Sequence, residues 1–356
     1  MKIDSIELYD LAVPLVKPYH TAFGDLPHFD TYLAVVRAGE KLAAGESCPV
    51  KGYSWEGPED VWEFGKSQAE KVVGLEIEEA MNRLRPYFAS HPFGVTSIFT
   101  ALETLAGDLP PLEANAEFPL VGILNVSRVE EIADELESVL TQGYQTIKFK
   151  VGFDVDQDIH KVQEIQKLLK GRAQLRLDAN QGYTFEEAMR FVKEVDPEDV
   201  ELFEQPFPEK DWETAARFAP LSPLPVMLDE SIYGPEDVKR TCDMGSVKYI
   251  KLKLMKSGGI GSLLEESRLV LERGLQLVIG NGVATDLSCY QEAWVGVQLG
   301  LQTAGEMNGY LKLKSPLLGS ALGFAQGKAV LKEQADLMPD QATLDRHTRG
   351  KVVFTA

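Results

Sequence analysis

The chain has 356 residues, a formal net charge of −19 and 44% hydrophobic residues. That length favours two domains around a large core, and the acidity argues against nucleic acid and anionic membrane as partners. No run of roughly 18 apolar residues suits a membrane span, and Met1 to Ser5 shows no apolar signal region. The three scattered cysteines, Cys48, Cys242 and Cys289, suggest neither a disulfide framework nor a metal site, so a cytoplasmic location is expected.

In chain order, residues 3–16 and 31–38 read as strands and residues 45–57 as a polar, glycine-containing stretch. Pro58-Glu59-Asp60 opens a helix that runs through Lys71. Residues 77–87 and 96–105 are further helices, so residues 1–115 read as a small α+β domain. From Phe118 the pattern changes. The apolar run 119–124 suits a strand buried on both faces, and 129–142 is an amphipathic helix ending at Gly143. The cycle then repeats. Strands are expected at 146–151, 175–179, 200–204, 226–228, 249–254 and 277–279, and helices at 154–169, 184–194, 211–218, 235–242, 260–273 and 286–299. Such alternation makes a parallel sheet, and seven units in a row favour a closed barrel. An eighth unit, at 302–305, is weak. The expected fold is α/β, a (β/α) TIM-type barrel over 116–325 behind the N-terminal α+β domain. Residues 326–356 are expected to pack back on that first domain.

Barrel enzymes keep their chemistry at the carboxyl ends of the strands. There the sequence reads Lys148-Phe149-Lys150, Asp178-Ala179-Asn180, Glu204-Gln205-Pro206, Asp229-Glu230-Ser231 and Lys251-Leu252-Lys253. From Lys150 the intervals to Asp178, Glu204, Asp229 and Lys253 are 28, 26, 25 and 24 residues, one unit each. Three carboxylates converging on one mouth repel each other unless a cation binds. Oxygen donors without histidine or cysteine select a hard ion such as Mg2+, with Mn2+ a substitute. Lys148 and Lys150 point to the same face of their strand, and Lys253 approaches from the far side. A cation flanked by lysines suits removal of the proton next to a carboxylate, with the resulting enediolate held by positive charge. Asn180, Gln205, Glu230 and Ser231 are plausible supporting groups.

These residues resemble the enolase superfamily, and within it the muconate-lactonizing subgroup. Lys253-Leu254-Met255-Lys256-Ser257-Gly258-Gly259 adds to the likeness, and residues 14–24 are similar to the mobile specificity loop of that family's capping domain. The resemblance implies that Asp178, Glu204 and Asp229 bind Mg2+, that Lys150 and Lys253 are the acid/base pair, and that Lys148 helps hold the substrate carboxylate. A histidine after the seventh strand, which the mandelate racemase branch uses, is missing. Where relatives carry a glutamate after that strand, this chain offers Asp286. Where dipeptide epimerases carry Asp-x-Asp to hold the substrate ammonium, it reads Glu306-Met307-Asn308. Lys251 stands where many relatives have asparagine, as either a third active-site cation or the partner of a deeper carboxylate. The last helix of the first domain reads as short for the family. Tyr19, Phe23 and Trp55 are candidates for a lid that excludes water.

The complete lysine pair favours a racemase or epimerase of an amino-acid derivative or similar small acid. A dehydratase of the o-succinylbenzoate synthase kind, a cycloisomerase, and a non-catalytic carboxylate- or metal-binding protein are the alternatives. The expected partner is a small carboxylate, and a homo-oligomer is compatible with the resemblance.

Overall fold

The computed structural model describes residues 1–21, 24–107 and 110–356. Strands β1 (Ser5–Thr21), β2 (Gly24–Ala38) and β3 (Lys41–Ser47) form an antiparallel sheet, followed by helices α1 (Pro58–Val72), α2 (Ile77–Leu84) and α3 (Pro92–Ala106). Of segment 14–24, expected as a loop, residues 14–21 instead continue β1 and Gly24 begins β2, with Tyr19 opposite Leu26. Strand β3 falls in a stretch read partly as polar loop. Its Gly45 lies so close to α3 that a Cβ would stand 2.2 Å from the Ser97 carbonyl, which is why small residues fill it. Helix α3 starts earlier than its apolar pattern suggests. Pro92 sits in its first turn, and the distant Glu56 carboxylate accepts from the Phe93 and Gly94 amides, both at 2.9 Å. The helix is buried almost all round, as its lack of a polar face requires.

The second part runs β4 (Ala116–Pro119), β5 (Gly122–Leu124), α4 (Ile132–Thr141), β6 (Thr146–Lys150), α5 (Val155–Leu169), β7 (Gln174–Asp178), α6 (Phe185–Glu194), β8 (Val200–Glu204), α7 (Trp212–Phe218) and β9 (Val226–Leu228). It continues with α8 (Pro235–Met244), β10 (Tyr249–Leu252), α9 (Leu254–Ser257), α10 (Ile260–Glu272), β11 (Gln276–Ile279) and α11 (Asp286–Gln298). The helices begin where side chains satisfy their free amides: Asp154 accepts from Gln157, Asp211 from Thr214, and Thr184 forms a reciprocal pair with Glu187. Strands β5 to β11 make one parallel sheet in sequence order. Residues 305 and 306 close it into a barrel. Gly305 exchanges 2.9 Å backbone bonds with Pro119 and Val121, and the Glu306 amide donates to Ile279 of β11 at 2.9 Å. The run 119–124 is therefore two elements, because Pro119 pairs with a different sheet from Gly122.

The chain ends with β12 (Leu322–Ala325), β13 (Lys328–Leu331), α12 (Gln341–His347) and β14 (Thr348–Thr355). Strands β12, β13 and β4 form a small sheet, while β14 pairs antiparallel with β1 from Ser5 opposite Thr355. Two buried carboxylates of the first domain dock on the barrel. Glu46 of β3 accepts from the Thr285 and Ser288 amides at the start of α11, at 3.0 and 2.9 Å. Glu103 of α3 accepts from the Ile260 and Gly261 amides at the start of α10, at 2.7 and 2.9 Å. Helix N-termini present unsatisfied N–H groups and a positive dipole end, which these carboxylates complement. No helix is long and apolar enough to cross a membrane among the described residues.

Candidate active site

The barrel register carries the charged residues to one rim. Lys150 of β6 stands beside Asp178 of β7, and Asp178 beside Glu204 of β8. Asp229 follows β9, and Lys251 and Lys253 lie on and just after β10. Lys150, Asp178, Asp229, Lys251 and Lys253 line a cavity together with Lys148, Tyr53, Asn180, Asn281, Glu306, Asn308 and, from β1, Tyr19 and Thr21, while Glu204 is fully buried beside Asp178 and is not part of the lining. Val50, Ile123, Met255 and Val283 supply its apolar surface.

Charge inside the mouth is dense and paired. The Lys148 ammonium lies 2.7 Å from Asp178, 2.9 Å from Glu204 and 2.8 Å from Glu306. Lys251, 1% exposed, is 2.9 Å from Glu204 and 3.4 Å from Asp229, and it also bonds the second oxygen of Glu306. Lys251 thus combines the two readings, lining the cavity while pairing with Glu204, Asp229 and the buried Glu306. Lys253 donates to Asp229 at 2.7 Å and to the Tyr53 hydroxyl at 2.6 Å. Burial opposes ionisation of Asp229, but Lys253, Lys251 and Lys256 outweigh it and hold its carboxyl well below the usual range. Burial and then the Asp178 charge push Glu204 up to about 8. Burial alone would lower Lys253, yet Asp229 and Glu230 hold it above the ordinary lysine value. Lys150 differs. Its side chain forms no hydrogen bond or ion pair among the described residues, and burial outweighs Asp178 to lower its proton affinity.

The strand ends are held in uncommon backbone states. Asn180 and Gln205 have φ of +40° and +37°, sparsely populated for side chains of this kind. Gln205 is pinned on all sides: its oxygen accepts from the Asp229 amide at 2.9 Å and its nitrogen donates to Ser231 at 2.8 Å. Asn180 donates to Glu230 at 3.2 Å, leaving Asn180 Oδ1 and Glu230 Oε2 buried without hydrogen-bond partners among the described residues.

The fit to a divalent cation can be judged from this donor set. Asp178, Glu204 and Asp229 offer only oxygen, two further buried oxygens nearby are unpartnered, and ammonium groups already stand among the carboxylates as cations. Among the described residues no three acidic, histidine or cysteine side chains converge to metal-ligating distance; Lys148 bridges Asp178 and Glu204, and Lys251 bridges Glu204 and Asp229. The chemistry of the donors fits a hard cation, which would compete with ammonium for the same oxygens.

A family model for the enolase C-terminal domain-like proteins matches residues 131–334. The chain belongs to this family. This enolase-superfamily enzyme is 23% identical to an N-succinyl-L-Arg/Lys racemase of Bacillus cereus, over 88% of each chain. It is 27% identical to muconate cycloisomerase 1 of Rhodococcus opacus, over 94% of each. The crystal structure of a dipeptide epimerase from Cytophaga hutchinsonii, in complex with Mg and D-Ala-L-Val, superposes with a TM-score of 0.88 at 20% identity, covering 99% of this chain and 100% of that one. That likeness confirms the barrel and its N-terminal antiparallel sheet.

Within this superfamily member, the cavity gathers Lys148, Lys150, Lys253, Asp178, Asp229, Tyr19, Asn180, Glu306 and Asn308, and Glu204 is buried beside them against Asp178 and Lys148. Asp286 is elsewhere. Its carboxylate accepts from the Leu317 and Leu318 amides at 2.9 and 2.7 Å, so it anchors a following loop. Trp55 is half exposed, stacks on Tyr233 with ring centroids 4.6 Å apart, and bonds the Ser90 carbonyl at 2.9 Å. Phe23 lies outside the described residues. Sequence reasoning missed Tyr53, Lys256, Asn281 and Lys312. Lys256 Nζ is buried and donates to the Asp229 carbonyl at 2.9 Å, a residue only three beyond Lys253 in the motif already singled out. Tyr53 comes from the first domain, where no local pattern marks it.

Proposed function

We propose that the chain is a Mg2+-dependent racemase or epimerase that removes the α-proton of a small carboxylate, most readily an amino-acid derivative. The observation that carries this reading is the placement of Lys150 on β6 and Lys253 after β10, four strands apart in the sheet, around one cavity that Asp178 and Asp229 also line. Asp178, Glu204 and Asp229 would hold the cation. When bound, it supplies positive charge to the substrate carboxylate as that group takes up electron density. Lys148 adds a second positive charge at the same end of the cavity. Lys150, unpaired and with lowered proton affinity, is suited to take a proton from one face of the α-carbon. Lys253, held protonated beside Asp229, is suited to return one to the other face. Tyr19 and the β1–β2 arm keep water from the reacting carbon.

The test is proton NMR in D2O with Mg2+ and a set of N-acylamino acids, dipeptides and small hydroxy acids. Loss of an α-proton signal is expected with at least one compound. Lys150→Ala and Lys253→Ala should each slow turnover by roughly 10²- to 10⁴-fold. Each variant should still exchange the enantiomer served by the lysine that remains. Turnover that survives both substitutions would overturn the two-lysine reading. A product lacking a β-substituent would move the assignment to a dehydratase.

A further inference from the structure

The two cavity lysines are held in different ways. Lys253 is tethered through its side chain, to Asp229 at 2.7 Å and to the Tyr53 hydroxyl at 2.6 Å. The Lys150 ammonium has no such tether, so its aim depends on the backbone that carries it. Lys150 ends β6 opposite Asp178, and the next amide, that of Val151, still donates to the Asp178 carbonyl at 2.8 Å. The chain then leaves the sheet at Gly152, whose φ is +91°. A Cβ on Gly152 would stand 2.2 Å from the Ala179 carbonyl oxygen, and one on Gly182 would stand 2.0 Å from the Gly152 carbonyl oxygen. The loops after β6 and β7 therefore touch backbone to backbone, which side chains at these two positions would prevent. Asp158 fastens this contact. It is the fourth residue of α5 and is 2% exposed. Its Oδ2 accepts from the Gly152 amide at 2.9 Å, the Phe153 amide at 3.0 Å and the Tyr183 hydroxyl at 2.8 Å. Tyr183 belongs to the loop after β7, and its own amide donates to the Pro206 carbonyl after β8 at 3.1 Å. One buried oxygen thus joins the loop behind Lys150, the start of α5 and the loop behind Asp178.

We infer that Asp158, braced by Tyr183, is a positioning residue for Lys150: it fixes the backbone that aims the one cavity lysine whose side chain has no partner of its own among the described residues. Asp158 is not among the residues that line the catalytic cavity, so it acts through the loop and not on the substrate. Hydrogen bonds to an ionised oxygen are shorter and stronger than neutral ones, and three converge here. Precision of this kind matters for a base, because a misplacement of about 1 Å can cost on the order of 10²-fold in rate. The inference rests on the two-lysine reading above and extends it to residues outside the cavity. A carboxylate in the first turn of a helix also stabilises that helix through its free amides and dipole. Such a cap has no preference for one face of the substrate, and that difference supplies the test.

The measurement is deuterium uptake at the α-carbon of recovered substrate, started from each enantiomer in D2O with Mg2+. Return of a deuteron to the same face needs one lysine alone, and Lys150→Ala identifies the enantiomer that Lys150 serves. Asp158→Ala should lower kcat for that enantiomer at least about tenfold, leave KM within about twofold, and leave uptake by the other enantiomer within about threefold. Tyr183→Phe removes one of the three bonds and should give a smaller loss, of about threefold or more, on the same face. Asp158→Asn keeps a carbonyl oxygen that can accept from the Gly152 and Phe153 amides, so it should recover most of the rate lost in Asp158→Ala. If Asp158→Ala does not fold, Tyr183→Phe carries the test, and the same face-selective loss is required of it. Equal losses on both faces, a change in KM alone, or unchanged uptake in Asp158→Ala and Tyr183→Phe would each overturn the inference and leave Asp158 as a helix cap. Those outcomes arise with an active parent and leave the two-lysine reading standing. A parent enzyme that exchanges neither enantiomer of any compound would instead overturn that reading, and the role of Asp158 with it.

Discussion

Lys251 is 1% exposed and touches three carboxylates, Glu204, Asp229 and Glu306. Removing one partner of a buried charge cluster leaves uncompensated charge, which costs about 3–5 kcal/mol. Lys251→Met should therefore lower stability by that amount in urea unfolding without divalent cation. Mg2+ should recover more stability in this variant than in the parent, because a cation replaces the lost ammonium. An equal Mg2+ effect in both proteins would mean that the carboxylates Lys251 holds are not those that a cation uses. The role of this residue was open in the sequence for a physical reason. Strand alternation tells which way a side chain faces, but not which carboxylate from the closing segment will meet it. Asp286 shows the converse. It sits at the right distance from β11 in sequence, yet its first-turn position on α11 directs it to the Leu317 and Leu318 amides.

Strand ends in a parallel barrel share a register, so the five charges spaced one unit apart were readable before any coordinates. Elements that depend on distant partners were less readable. Strand β3 hides among small residues because α3 lies against it, and the start of α3 is set by Glu56 from another segment. The closing strand is little more than Gly305 and Glu306, too short for any periodicity. The docking of β3 on α11 is also pH-dependent. Burial pushes Glu46 up to about 7 despite its bonds to Thr285 and Ser288. A carboxyl whose folded value is raised favours the fold in its protonated form. Its contribution is full below the ordinary value of 4.5 and is lost as pH rises through about 7. The loss is roughly 3 kcal/mol for a shift of this size. Glu46→Gln should flatten the fall of stability between these limits, measured by urea unfolding across the pH range. An unchanged slope would mean that Glu46 stays ionised throughout.

At the scale of the whole molecule, the first domain is a sheet of order β14-β1-β2-β3, so a strand from the far end of the chain covers β1. Exposed strand edges invite pairing with other chains. A chain ending at His347 should keep its barrel but associate, seen as a shift to larger species in size-exclusion chromatography and light scattering. A monodisperse truncated protein would show that β1 needs no cover. The same pairing orders events during synthesis. The arm that carries Tyr19 precedes the barrel in sequence, yet the sheet that supports it lacks its outer neighbour until the barrel segments have been made. Until β14 has paired with it, β1 presents an open edge, the kind of surface through which partly folded chains associate.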